Sequence, residues 1–542
     1  MANTIERKEK LSIYLMKDGS YTPDEYVKQE LVGQRHVLNV SNIEAILYLK
    51  RESPSRAPAW TRIFTEHPDA PRIEFGKSSN VGAVLYANLD GRKFLISFGS
   101  GFHLIKGDLT ERDFGLLVTL NSVDPGKLRS LDKASYDDNP LNSRTQSSLE
   151  VDIFDLQANT ESDLVYAVTG ACKVSLLGTH ITGRDALTLM VETDLNGISK
   201  ILAKTIELFE SPLPAAYSWI DNVAKVRDAE TIRILDLLLD DEMSKTGDTS
   251  VWLGEPEIVN WESNSGYSFD MYQNTPRHQT LCISDLRDYL ESKSLGFSLE
   301  SVREINIHIN DANYRSTQSW PAYRCIHAEI ANGDERYIIR NGSWFKIEAD
   351  FIAEIDRRLA NAKISPSYLP SYSYANEGEY NSQVAQNSAN IHLMDKDNVR
   401  TGGPYDKIEF CDLIIDSNNF VHVKYYRSSA TLSHLFSQGA VAAEIFLKDE
   451  DFRRKLNSKL PSHIALADTA VRPDPGAYTI TYAIATSKIL PTELPFFSKV
   501  TLKNAISHLD ALGFNVVLTS IPLDPALNKV KRYKPRAIKI RK

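Results

Sequence analysis

Residues 409–424 read EFCDLIIDSNNFVHVK, two apolar runs on either side of a polar turn. Asp412 lies inside the first run and Lys424 closes the second. A buried carboxylate without a partner is costly, so Asp412 needs a reason to be there. Two chemistries supply one: a salt bridge between neighbouring strands, or a nuclease-type metal site. Residues two apart on a strand share a face, so His422 is expected to point the same way as Lys424.

The elements around this stretch form an ordered series. NEGEYNSQVAQNSA reads as a helix, with Asn376 and Glu379 three apart at its start, the spacing of a capping box. IHLMDKD reads as a short strand, KIEFCDLIID as a longer one, SNN as a turn and FVHVKYY as the next strand. A long helix, ATLSHLFSQGAVAAEIFLKDEDFRRKL, follows; then come the strand AYTITYAIAT, the helix VTLKNAISHLDALG and the strand FNVVLTS. The order is α–β–β–β–α–β with an added α–β. Upstream, AKISPSYLPSYSYANEG is rich in Pro, Ser and Tyr and reads as a connector, which puts a boundary near residue 365.

That order, with these acids, resembles the PD-(D/E)xK nuclease superfamily over about 375–520. The resemblance implies an α/β C-terminal domain with a restriction-endonuclease-like central sheet. It also implies that Glu379 and Asp412 hold a Mg2+ or Mn2+ ion and that Lys424 assists attack on a phosphodiester of DNA or RNA. Carboxylates suit such hard cations. The bound cation polarises the phosphate and acidifies water, and a lysine beside it stabilises developing charge. The sequence departs from the family at His422, where an acid is expected. His422 is then a third ligand, a base, or the mark of a weakened site; imidazole suits Mn2+ better than Mg2+. Asp395 and Glu409 are substitutes for the missing acid, with Glu409 expected to face away from Asp412 on a regular strand. Beyond Lys424, the residues Arg427, Ser428, Ser433, His434 and Gln438 fall where such nucleases place groups that meet nucleic acid.

A second resemblance runs through most of the chain. FLISFGSGFHLI, ERDFGLLVTLNSVD, KLRSLD, SRTQSS, IEFCDLI, HVKYY and SHLFSQG look like blocks of a sporadically distributed bacterial family of uncharacterised proteins. It implies a context of phage defence or mobile elements. The combined expectation is a metal-dependent nuclease in such a system. The alternative is a catalytically inactive nucleic-acid-binding or interaction component of a defence complex. A homo-oligomer or a defence-system partner fits either.

The rest of the chain sets limits. It has 542 residues, enough for several domains, and a net charge of −9, which excludes a uniformly basic coat. The tail KVKRYKPRAIKIRK is locally basic, and Lys531, Arg532, Lys534 and Arg536 are candidates for phosphate contact. No apolar run is long enough to span a bilayer and the start lacks a signal-type core, so no membrane is expected and the location reads as cytoplasmic. The four cysteines are widely spaced, which fits reduced thiols. Residues 1–184 read as a β-rich part of an α+β amino-terminal region. Residues 185–365 read as helical and then a β-meander, and 366–542 as the nuclease-like domain. Asp-Gly in LDGRK and Asn-Gly in ANGDE and RNGSW predict tight hairpins. Arg144 and Gln146 sit in a polar segment where contact with a phosphate or a base, or ordinary loop polarity, would explain them.

Overall fold

The computed structural model describes residues 8–40, 42–52, 80–135, 141–245, 251–272, 275–374, 376–400, 407–426 and 429–525, without the side chains of 429–431. The chain is α+β with several antiparallel sheets and divides into two units: 1–134 with 142–221, and 135–141 with 222–542.

The first unit is built on a ten-stranded sheet. Glu9–Leu15 and Leu187–Val191 are neighbours within it, with Ile13 opposite Leu187. Alternation puts Leu11, Ile13, Ile96, Ile181, Leu187 and Leu189 on one face, where they form a single core. Helices Phe114–Ser122 and Leu195–Glu210 contribute to the same core, the second through Ile198, Ile201 and Leu202. Asp194 caps that helix by accepting the Gly197 N–H. The division therefore falls after Asp221 and not near residue 184, because this helix buries its apolar stripe against the amino-terminal sheet. The LDGRK hairpin forms as expected, with Asp90 and Gly91 both at positive φ between strands Gly82–Leu89 and Arg92–Gly99.

Helix Phe114–Ser122 lies so close to Gly183 that a Cβ there would meet the Gly115 carbonyl oxygen at 2.0 Å and Thr119 Oγ1 at 2.3 Å. The obstacle is backbone, which cannot swing aside. Gly183→Ala should therefore destabilise the unit by about 3 kcal/mol or more, read as a lower midpoint in denaturant. A variant within about 0.5 kcal/mol of the parent would show that helix and strand separate easily.

The second unit opens with a five-stranded antiparallel sheet that includes Ile326–Asn332, Glu335–Arg340 and Ser343–Ile347, and a three-stranded sheet, Asn264–Ser268, Asn306–Asp311 and Ser316–Pro321. Trp320 and Trp344 sit in their common core. The Asn341–Gly342 turn has both residues at positive φ, as the Asn-Gly signal predicts.

The C-terminal part of this unit carries helix α1 (Glu377–Gln386), strand β1 (Ile391–Leu393), strand β2 (Leu413–Ile415), strand β3 (Asn419–Tyr425), helix α2 (Ser429–Lys448), helix α3 (Glu450–Asn457), strand β4 (Thr479–Ala485), helix α4 (Phe496–Leu512) and strand β5 (Asn515–Ile521). The five strands form one sheet in chain order. β1, β2 and β3 are antiparallel, and β3, β4 and β5 run parallel. One face packs on α1 through Val421, Val423, Tyr380 and Val384. On the other face Phe420 packs edge-on against Phe446 of α2.

The segment read as a connector is built into this part. Ser365 N–H donates to the Leu518 carbonyl (3.0 Å) and Tyr372 N–H to that of Pro522 (2.8 Å). Tyr372 is buried, stacked on Tyr425 at 5.0 Å. Tyr372 serves as a core residue and Tyr374 packs against the same core, while Tyr368 is exposed; the division into two units does not fall here. A further tie comes from Glu329, on the antiparallel sheet, whose two carboxylate oxygens accept the Phe496 N–H at the start of α4 (2.8 and 3.0 Å). Lys499 on α4 pairs with Asp356 at 2.7 Å.

No helix among the described residues is long and apolar enough to cross a membrane. None of the four cysteines is in a disulfide.

Candidate functional site

Three carboxylates converge beside the start of β2. Asp395, Glu409 and Asp412 each place an oxygen within 4.8 Å of the others. Asp395 arrives because the chain leaving β1 stays hydrogen-bonded to β2: the Met394 and Asp395 N–H groups both donate to the Asp412 carbonyl, at 2.8 and 3.0 Å. Glu409 arrives because the expected strand 407–416 is not continuous. Lys407–Ile408 pairs with Val399–Arg400 in a separate ribbon, and residues 409–412 are irregular before β2 begins. The alternation that would turn Glu409 away from Asp412 is lost, and its carboxylate swings back. Lys396 N–H donates to Glu409 Oε1 at 2.9 Å, and Gln438 of α2 donates to Oε2 at 3.3 Å.

Asp412 is the centre of the group. Its Oδ2 accepts the Val423 N–H from β3 at 2.6 Å, and its Oδ1 accepts Asn381 Nδ2 from α1 at 3.4 Å. Burial pushes its carboxyl up to about 8; the charges of Glu409, Asp395 and Glu377 act the same way, and the Val423 N–H opposes them. Burial also raises Asp395, with Glu409 adding to the effect and Lys396 and Asn381 opposing it. No lysine or arginine among the described residues forms an ion pair with any of the three acids.

Lys424 reaches α1 from the end of β3. Its Nζ bonds Glu377 Oε2 at 2.9 Å, and the other Glu377 oxygen accepts the Tyr425 N–H at 3.1 Å. Glu377, and not Glu379, is the acid of α1 that pairs with Lys424. Glu379 is exposed, its N–H capped by Asn376 (3.0 Å), and it lines an open groove with Tyr374, Gly378 and Lys396. His422 lies on β3, two residues before Lys424. It is buried with its ring 5.9 Å from that of Tyr482, and burial holds its imidazole at about 4, hence neutral at physiological pH. Neither Glu379 nor His422 belongs to the acidic group. Ser433 is buried with its hydroxyl 3.4 Å from that of Thr501 on α4, and His434 is exposed on α2. Arg427, Ser428, Lys531, Arg532, Lys534 and Arg536 lie outside the described residues.

The donor set suits a hard divalent cation, being all oxygen and anionic. An independent observation agrees. Asn381 is fully buried with its Nδ2 on Asp412, yet its Oδ1 has no hydrogen-bond partner. A buried amide oxygen without a protein partner is the kind of atom that a bound cation or water satisfies. Asn381 and Glu377 were open to detection in the sequence: four apart on one helix, they share the face that Tyr380 and Val384 turn to the sheet.

The fold and this site define an α+β protein with an acidic cluster beside a mixed sheet. The chain belongs to the family described as "Family of unknown function (DUF6119)", whose match spans residues 11–522. No curated protein and no solved structure matches the chain.

Proposed function

We propose that the protein is a metal-dependent nuclease with a PD-(D/E)xK-type core, hydrolysing phosphodiester bonds of DNA or RNA in phage or mobile-element defence. The observation that carries this reading is the convergence of Asp395, Glu409 and Asp412 next to the Glu377–Lys424 pair. The α–β–β–β–α–β order and the mixed sheet with β3, β4 and β5 parallel support it. The defence setting rests on the whole-chain sequence resemblance.

The three carboxylates and Asn381 Oδ1 would hold Mg2+ or Mn2+, which supplies charge neutralisation and an acidified water. Glu377 fixes the Lys424 amine at the edge of the acidic group, where it can meet the charge that builds on a phosphate oxygen. Gln438 and the Lys396 N–H hold Glu409 in place, so its carboxylate needs no rearrangement before binding. The groove along Tyr374 and Lys396 gives the strand a path to the acids.

The full-length protein incubated with end-labelled DNA or RNA should cut only with Mg2+ or Mn2+ present. Asp395→Asn should lower that cleavage at least about 100-fold, since even outer partners of a metal site matter by 10- to 100-fold. Cleavage that survives chelation, or equal cleavage by the variant, rejects the site. Binding of nucleic acid without cleavage under any divalent cation leaves a binding module in place of an enzyme.

A further inference from the structure

The amino-terminal unit holds a second charged assembly, unrelated to the acids of the C-terminal sheet. Asp132 lies on strand Val123–Ser135 and is 2% exposed. Directly opposite on the next strand, Arg144 grips it with a two-pronged bond, Nε to Oδ1 and Nη2 to Oδ2, both 2.8 Å. That pair is already neutral and geometrically complete. Arg184, from the end of strand His180–Gly183, nevertheless places its own Nη2 on the same Oδ2. Two guanidinium groups therefore share one carboxylate, and among the described residues no second acid pairs with either.

Both arginine side chains remain 44% exposed, so the surplus charge and the remaining N–H groups face outward. A second arginine gives Oδ2 one more hydrogen bond but brings a like charge close. Such a cost is recovered when an anion bridges the two cations. Guanidinium edges match phosphate oxygens in spacing and planarity. Hydroxyls lie nearby: Thr182, two residues before Arg184, is 2.9 Å from Thr169 on the adjacent strand. Gln146, two residues beyond Arg144, is exposed on the same strand.

We propose that Arg144 and Arg184, oriented by the buried Asp132, form a phosphate-binding clamp on the amino-terminal sheet. The phosphate is that of a nucleic-acid backbone or of a free nucleotide; both present the same oxygens to the clamp.

The test is fluorescence anisotropy of a short labelled single-stranded oligonucleotide with the full-length protein in EDTA, so that cleavage plays no part. ATP and inorganic pyrophosphate serve as competitors. Arg184→Ala should weaken binding about tenfold, the scale of one charge-assisted contact. It should also flatten the plot of log affinity against log salt by about one charge. Its melting temperature should stay with the parent, because the Asp132–Arg144 pair remains. Arg184→Lys should regain the salt slope but not the full affinity. Displacement by ATP assigns the clamp to a free nucleotide, and resistance to ATP assigns it to the backbone. Equal affinity and salt slope in parent and Arg184→Ala overturn the clamp. So does a parent protein that binds neither the oligonucleotide nor ATP.

Discussion

Asp412→Asn should abolish cation-dependent cleavage, at least about 100-fold, while making the cation-free protein more stable at pH 8. The two effects have one cause. In the folded chain the Asp412 carboxyl is pushed up to about 8 by burial and by the neighbouring acids. In the unfolded chain it titrates near 4. The folded state therefore binds the extra proton between these values. Stability is fully present below about pH 4 and declines as pH rises toward 8, by a few kcal/mol. Asparagine carries no charge to bury, so the variant escapes the decline. Thermal melts in EDTA should nearly coincide at pH 4 and separate steadily toward pH 8, the variant melting higher. Saturating Mg2+ or Mn2+ should raise the parent's melting temperature and leave the variant's unchanged. A gap that does not vary with pH would mean that Asp412 is ionised in an ordinary setting.

Lys424→Ala should lower kcat by about 10²- to 10³-fold with KM little altered, as expected when a group acts on transition-state charge and not on ground-state binding. The fold should tolerate the change. Lys424 and Glu377 are each 29% exposed, and such pairs contribute about 1 kcal/mol or less. Glu377 also keeps its bond from the Tyr425 N–H when the lysine is gone. Single-turnover cleavage with excess enzyme separates the chemical step from binding. An unchanged rate would remove Lys424 from the reaction and leave it as a tie between β3 and α1.

The order of elements from α1 to β5 was readable in the sequence because helices and strands of the C-terminal sheet carry distinct periodicities and clear punctuation. Asp412 was readable because a carboxylate in LIID-type surroundings violates burial rules unless something balances it. Asp395 and Glu409 were legible as substitute acids; what escaped was the orientation of Glu409 and the part of Glu377. Glu409 sits three residues before Asp412, and strand alternation turns it away; only a break in the ladder, set by pairing of Lys407–Ile408 with Val399–Arg400, turns it back. Glu377 and Glu379 lie on the same short helix, and which one faces the sheet depends on how α1 is rotated, a matter of packing by Tyr380 and Val384. His422 and Lys424 sit at alternate positions of one strand, but a lysine can reach around the strand end where an imidazole cannot. The tyrosines of 366–374 read as linker because nothing local records that Tyr372 stacks on Tyr425.

The bond from Glu329 to the first amide of α4 bears on how this chain can be inherited. Recombination that preserves a fold trades segments at seams where few contacts are lost. A cut near residue 365 would leave the α4 amide without its acceptor, Lys499 without Asp356, and the β5 edge without the strap that runs from Ser365 to Tyr372. The part that carries the acidic cluster is thus tied to the antiparallel sheet before it as one heritable piece. The family match, from residue 11 to 522, contains this piece whole up to the end of strand β5.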